Sequence, residues 1–178
     1  MSFEFIVSNS SKLPEVKIIQ PALFEDFRGT MWTSFLDTEL SYLLPKGLNF
    51  IHDKFSESKK NVLRGIHGDN KTWKLVTSVY GDIFQVVVDC RKESRTYSLW
   101  DSFNLSNKSP SLILVPPGFG NAFYVQSETA IYHYKLAYKE NYNDAEDQFT
   151  FSWDNSEFNI QWPSSKPILS ERDSATTS

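Results

Sequence analysis

What is scarce in this 178-residue chain narrows it first. There is one cysteine, Cys90, so neither an intrachain disulfide nor a thiolate metal cluster can form. It lies in the apolar run IFQVVVDC, where a thiol reads as core filler rather than as a nucleophile. Histidine is limited to His52, His67 and His133, with no pair at two-residue spacing. A catalytic metal takes about three protein ligands. His67 with Asp69 in IHGD is the nearest candidate pair, so no metal is expected. No apolar run approaches membrane-spanning length. The opening MSFEFIVSNS lacks the basic-then-apolar order of a secretory signal. No membrane association is expected, and the cytoplasm is the default location. A long basic run is missing too, and the formal net charge is −4, which argues against nucleic acid as a partner. Local clusters of Arg and Lys remain able to hold one small anion. Gly-x-Ser-x-Gly elbows, Walker phosphate loops and dinucleotide fingerprints do not occur.

Aromatic residues, by contrast, reach 15%. They favour strands and line ligand pockets. Short strand-like runs follow one another with turn residues between them: EVKIIQPALF, LNFIHDKFS, KLVTSVYG, DIFQVVVDCR, YSLWDSFNL, SLILVPPG, NAFYVQS and AIYHYKLAY. DFRG, at 26–29, reads as a turn. One short helix is expected over DTELSYLLPKG, capped by Asp37, with Leu40, Leu43 and Leu44 as its apolar stripe and Pro45 and Gly47 as its stop. The pattern predicts an all-β sandwich or barrel over residues 1–178 as one domain, with the polar 174–178 as a frayed tail. Neither a repeat nor a linker interrupts it.

Strand alternation sorts the faces of residues 129–138. Ala130, Tyr132, Tyr134, Leu136 and Tyr138 share one side; Ile131, His133 and Lys135 share the other. Three tyrosines on a common face carry hydroxyls that need partners, either at the rim of a core or in a polar cavity. The stretch VLRGIHGDNKTWKLV gathers Arg64, Lys71 and Lys74 around His67. An imidazole titrates near neutrality and can act as a general base. A tyrosine on another strand can supply an acid, a lysine can steady an oxyanion, and a carboxylate from LSERD (169–173) can orient the ring. Those groups suit proton abstraction beside a carbonyl, and equally the binding of a phosphorylated ligand.

The ordered motifs VLRGIHGD, KLVTSVYGDIFQVVVDCR, LVPPGFGNAFYV, YHYK, IQWP and PILSERD resemble the nucleotide-sugar 3,5-epimerase family. The resemblance runs from about Pro21 to Asp173. It implies a cupin-like jelly roll, a homodimer and metal-independent, cofactor-free epimerisation of a 4-keto nucleotide sugar at carbon 3, carbon 5 or both. FIHDKF, RGIHGD and GFGNA are more narrowly similar to a branch that epimerises GDP-linked 4-keto-heptoses for bacterial capsules. By resemblance, His67 is the base, Asp173 its orienting carboxylate, Lys74 the cation beside the reacting carbonyl and Tyr134 the acid. Arg64 and Arg28 fall on diphosphate-binding positions. Asn121 stands where the type member has histidine. His52, Asp53 and Lys54 replace the Gln-x-Asn that reads thymine, and Thr33 replaces a glutamate, so a GDP-linked substrate is expected over a dTDP-linked one. The base-stacking tyrosine aligns on Glu140, with Tyr138 and Tyr142 on either side. A single-centre epimerase, a 3,4-ketoisomerase and a non-catalytic sugar-nucleotide module are the alternatives. A metal-dependent cupin oxygenase is the weakest.

Overall fold

The structure, a computed structural model, describes residues 4–175. Thirteen strands form in chain order: β1 Phe5–Asn9, β2 Lys17–Pro21, β3 Leu23–Asp26, β4 Gly29–Trp32, β5 Phe50–Lys59, β6 Leu63–Gly68 and β7 Trp73–Tyr80. These are followed by β8 Asp82–Asp89, β9 Trp100–Ser106, β10 Leu112–Val115, β11 Phe119–Val125, β12 Thr129–Ala137 and β13 Phe149–Thr150. Among the described residues, helix is confined to the single turns α1 Asp37–Leu40, α2 Asp144–Asp147 and α3 Glu171–Ser174, with a 3-10 turn at Ser41–Leu43. The all-β expectation holds.

The strands make two main sheets, ordered β1-β2-β10-β7-β12-β5 and β13-β6-β11-β8-β9, with β3-β4 as a separate hairpin. All strand pairs in them are antiparallel. The two sheets face each other across one core. Val76, Ile113, Ala130 and Tyr132 come from the first sheet and Ile83, Val87, Leu105, Phe119 and Phe123 from the second. The Phe123 and Tyr132 rings stack across the gap at 4.3 Å. Truncating such a ring costs about 3–5 kcal/mol.

Several local details depart from the sequence reading. Asp37 is the first helical residue of α1 and not its cap. Leu36 holds the cap position in extended backbone, and its carbonyl accepts from the amides of Glu39 and Leu40. The Asp37 carboxylate instead accepts from the Ser41 hydroxyl. Leu40 and Leu44 are buried as expected, while Leu43 is half-buried. Phe27 and Arg28 form the two-residue tip of the β3–β4 hairpin, where Asp26 pairs with Gly29. Within the expected tail, Ser174 closes α3; residues 176–178 lie outside the described residues. None of the described helices is long and apolar enough to cross a membrane.

Candidate active site

The inner faces of the two sheets change character along their length. On β12, Ala130 and Tyr132 belong to the core, and the next inward positions are Tyr134 and Leu136. Their register partners on β5 are Ser58, Ser56, Lys54 and His52, in that order. On β7, Val76 pairs with Tyr134 and Lys74 with Leu136. The same alternation that fills one half of the sandwich with aliphatics thus lines the other half with polar groups. A cavity of about 270 Å³ opens there. Lys54, Ser56, Arg64, His67, Lys74 and Asn121 line it from the strands, together with Tyr134.

A bulge brings two of these together. Arg64 and His67 are three residues apart, an odd spacing that would send them to opposite faces of a regular strand. On β11, however, Asn121 pairs with His67 and Phe123 with Arg64, so three steps of β6 oppose two of β11. Gly65 sits inside this bulge with φ of +122°. A Cβ there would lie 2.4 Å from the Cβ of Ala122, so a side chain does not fit.

Asp173 arrives from the far end of the chain. Ile168 exchanges backbone hydrogen bonds with Asn61 and Leu63, which lays the C-terminal segment beside the start of β6. The Ser170 hydroxyl caps α3 by accepting from the Asp173 amide, and donates to Asp173 Oδ2 at 2.9 Å. Asp173 Oδ1 lies 2.6 Å from His67 Nε2. A carboxylate only accepts, so Nε2 carries the hydrogen and the lone pair of the neutral ring is on Nδ1. Burial opposes the Asp173 charge, yet the bonds from His67 and Ser170 prevail and hold its carboxyl below the usual range. Burial also pushes the Tyr134 phenol up to about 12, so it stays protonated at neutral pH.

Lys74 is almost completely buried and forms an ion pair with Asp69 at 2.9 Å. Asp69 also accepts from the amides of Lys71 and Thr72. The carboxylate weighed as a metal ligand beside His67 therefore anchors Lys74 and the loop that precedes it. Lys71 points away to Asp147 at 3.1 Å. Burial raises the Cys90 thiol to about 12, which suits packing and not attack.

Two expected ligand-binding residues are not on the cavity wall. Arg28 is highly exposed at the hairpin tip, where Asp26 grips its guanidinium, and it borders a separate shallow depression with Phe24 and Met31. His52 lies behind the rim, with its Nδ1 3.3 Å from the Tyr138 hydroxyl. Lys54 does line the cavity, and is ion-paired with Asp144.

Several wall residues escaped the sequence reading. Arg172 shares the α3 turn with Asp173 and donates to Thr150 Oγ1 at 2.6 Å and to Gln148 Oε1. Tyr142, Asp144 and Gln148 close one side. The SERD motif itself carried a signal for Arg172, and Tyr142 was one of the two tyrosines flanking the expected base-stacking position; nothing marked Asp144 or Gln148 as part of the wall. The wall carries Lys54, Arg64, Lys74 and Arg172 against the carboxylates of Asp144 and Asp173, a positive excess fit for an anion. Chemically the cavity combines an imidazole bonded to a buried carboxylate, a protonated phenol and a buried ammonium.

The sequence profile described as dTDP-4-dehydrorhamnose 3,5-epimerase matches residues 10–178. A dTDP-4-dehydrorhamnose 3,5-epimerase from Salmonella typhimurium is 37% identical over 167 residues, covering 92% of this chain and 90% of that protein. One of the same description from Methanothermobacter thermautotrophicus is 33% identical, covering 96% and 91%. Among solved structures, a dTDP-6-deoxy-D-glucose-3,5-epimerase from Legionella pneumophila, in complex with dTDP-4-keto-L-rhamnose, superposes with a TM-score of 0.88. It is 33% identical, and the match covers 97% of this chain and 92% of that one.

Proposed function

The chain belongs to the dTDP-4-dehydrorhamnose 3,5-epimerase family, and on that premise we propose that it inverts carbon 3, carbon 5 or both of a GDP-linked 4-keto-heptose destined for a surface polysaccharide. The observation that carries this reading is the cavity where the His67–Asp173 pair and the Tyr134 phenol line one wall system with Lys74. A 4-ketone acidifies the hydrogens on the carbons beside it, because the carbanion delocalises onto oxygen. His67 Nδ1 removes such a hydrogen, and Asp173 steadies the imidazolium that forms. Lys74 and Asn121 hold the enolate oxygen; one donor of this kind is worth about 2.7–4 kcal/mol of barrier. Tyr134 returns a proton to the opposite face of the carbon. Arg64 takes the diphosphate through paired charge-assisted bonds, which positions the sugar from a distance.

What supports GDP over dTDP is the replacement of the thymine-reading Gln-x-Asn by His52, Asp53 and Lys54, and of a glutamate by Thr33. Asp53 faces the outer surface, paired with His133 and Lys135, while Lys54 alone of the three reaches the cavity. The relatives named above carry dTDP in their descriptions, so the two bases define the test. A homodimer belongs to this reading as the arrangement in which Arg28, outside its own cavity, would meet a diphosphate.

The experiment is a proton NMR time course in heavy water with the GDP-4-keto-heptose and with dTDP-4-keto-6-deoxyglucose. Loss of the carbon 3 or carbon 5 signal from the GDP compound, faster than from the dTDP compound, supports the reading. Preference for dTDP removes the base assignment. Absence of exchange from both, with either nucleotide still bound, leaves a binding module instead.

A further inference from the structure

Resting on the enolate chemistry proposed above, we infer that Gln85 is a positioning residue: it locks the Asn121 amide with Nδ2–H facing the cavity, as a donor to the substrate's keto oxygen. An asparagine amide has an accepting end and a donating end, and only one orientation serves an oxygen that gains negative charge. The structure fixes which end points where through a chain of bonds that begins at the backbone. The Val86 carbonyl can only accept, and Gln85 Nε2 donates to it at 3.0 Å. That assignment turns Gln85 Oε1 to the Tyr132 hydroxyl, which donates to it at 2.6 Å. The second hydrogen of Gln85 Nε2 goes to Asn121 Oδ1 at 2.7 Å. Tyr132 Oη lies 3.3 Å from the same Oδ1, but its one hydrogen is taken by Gln85 Oε1, so the bond from Gln85 alone turns the accepting end of Asn121 inward. Its donating end is left for the side away from them, where Asn121 lines the cavity and pairs in register with His67.

Burial makes the lock effective. Gln85 and Tyr132 are fully inaccessible and Asn121 is 6% exposed, so no water competes for these bonds. Reversing the Asn121 amide would set two donors, its own and that of Gln85, against each other in a dry core, at a desolvation cost paid nowhere else. Gln85 and Asn121 also interrupt otherwise apolar inward rows, Ile83 and Val87 on β8 and Phe119 and Phe123 on β11. A polar pair in that setting needs a purpose beyond packing, and the aimed donor supplies it.

The decisive variant is Gln85→Glu. A glutamate in this dry core stays protonated and has one hydrogen where Gln85 Nε2 has two; the Val86 carbonyl takes it, and the lone pair of the same oxygen draws Asn121 Nδ2 inward and turns Oδ1 to the cavity. Turnover of the substrate that the wild type accepts should fall on the order of 10²-fold, as in Asn121→Ala, with KM within threefold. Gln85→Met keeps the volume, releases the lock and should lose about tenfold in kcat; it serves if the glutamate prevents folding. Nuclear Overhauser contacts of the Asn121 side-chain amide give a readout that needs no activity. They should connect Nδ2–H to the His67 ring in the wild type and to the Tyr132 ring in Gln85→Glu. The inference is overturned if wild-type Nδ2–H contacts Tyr132, or if both Gln85 variants keep kcat within twofold. A wild type with the expected contacts but no isotope exchange would instead remove the functional reading and leave the orientation standing.

Discussion

The molecule contains the same His–Asp contact twice, in two settings. His67 Nε2 meets Asp173 Oδ1 at 2.6 Å, and His133 Nε2 meets Asp53 Oδ1 at 2.7 Å. The distances do not distinguish them; their surroundings do. Asp173 is buried at the cavity wall, where its carboxylate is held against the His67 ring. Asp53 is half exposed, shares its charge with Lys135, and leaves His133 stacked on the exposed ring of Phe55 at 4.6 Å. One pair faces a protonated phenol and a buried ammonium across a cavity; the other lies on the outer side of β12. A His–Asp contact is therefore a motif without a function until the space opposite the ring is known.

Substitutions can break this comparison at either pair. The largest effect is expected for His67→Asn, with solvent deuterium exchange reduced about 10²–10⁴-fold, the range that a general base supplies. Asp173→Asn should cost on the order of 10²-fold in kcat and little in KM, since the ring keeps its place and loses its orienting charge. Tyr134→Phe should impair inversion more than exchange; equal loss of both would remove the phenol from the opposite face. At the other pair, His133→Asn should leave exchange within twofold and lower stability by less than about 1 kcal/mol in urea titration. A fall in activity comparable to that of His67→Asn would erase the distinction.

A third carboxylate sharpens it in terms of stability. Asp89 is buried, which opposes its charge, but bonds from Arg91, Ser94 and Thr96 lower its carboxyl to about 2. A carboxyl held low in the folded state contributes stability above its unfolded value, near pH 3.9, and that contribution is lost as pH falls towards the folded value. Urea midpoints should therefore drop between about pH 4 and pH 2, with Asp89 contributing about 2 kcal/mol. Asp89→Asn should flatten that part of the profile. Asp53, half exposed and screened, should leave it almost unchanged.

The strand runs from residue 49 to residue 137 were legible because alternation and turn residues act locally. The tyrosine face of β12 was legible for the same reason, and the structure divides it as the polar demand of each hydroxyl requires. Tyr132 finds Gln85 in the core, Tyr134 reaches the cavity, and Tyr138 meets His52 and packs on Tyr142 at 5.1 Å. Arg28 illustrates the opposite case. Its motif marks a ligand-binding position, but the hairpin carries it outside the cavity of its own chain. The α2 segment was not legible: its turn is short, acidic and uncapped, and ion pairs of Asp144 with Lys54 and Asp147 with Lys71 tie it to β5 and to the distant β6–β7 loop.

By itself the sequence determined the β architecture and the tyrosine face of β12, since both follow from period-two geometry, while His67, Tyr134, Lys74 and Asp173 were singled out as candidate acid–base groups by the family resemblance of their motifs. Tertiary structure alone decided that a bulge at Gly65 turns Arg64 and His67 to one side. It also decided that Asp173 closes on an imidazole 106 residues away, and that Gln85 faces Asn121. The reason is range: alternation fixes a side chain's face within one strand, whereas which faces meet depends on register and on how distant segments pack.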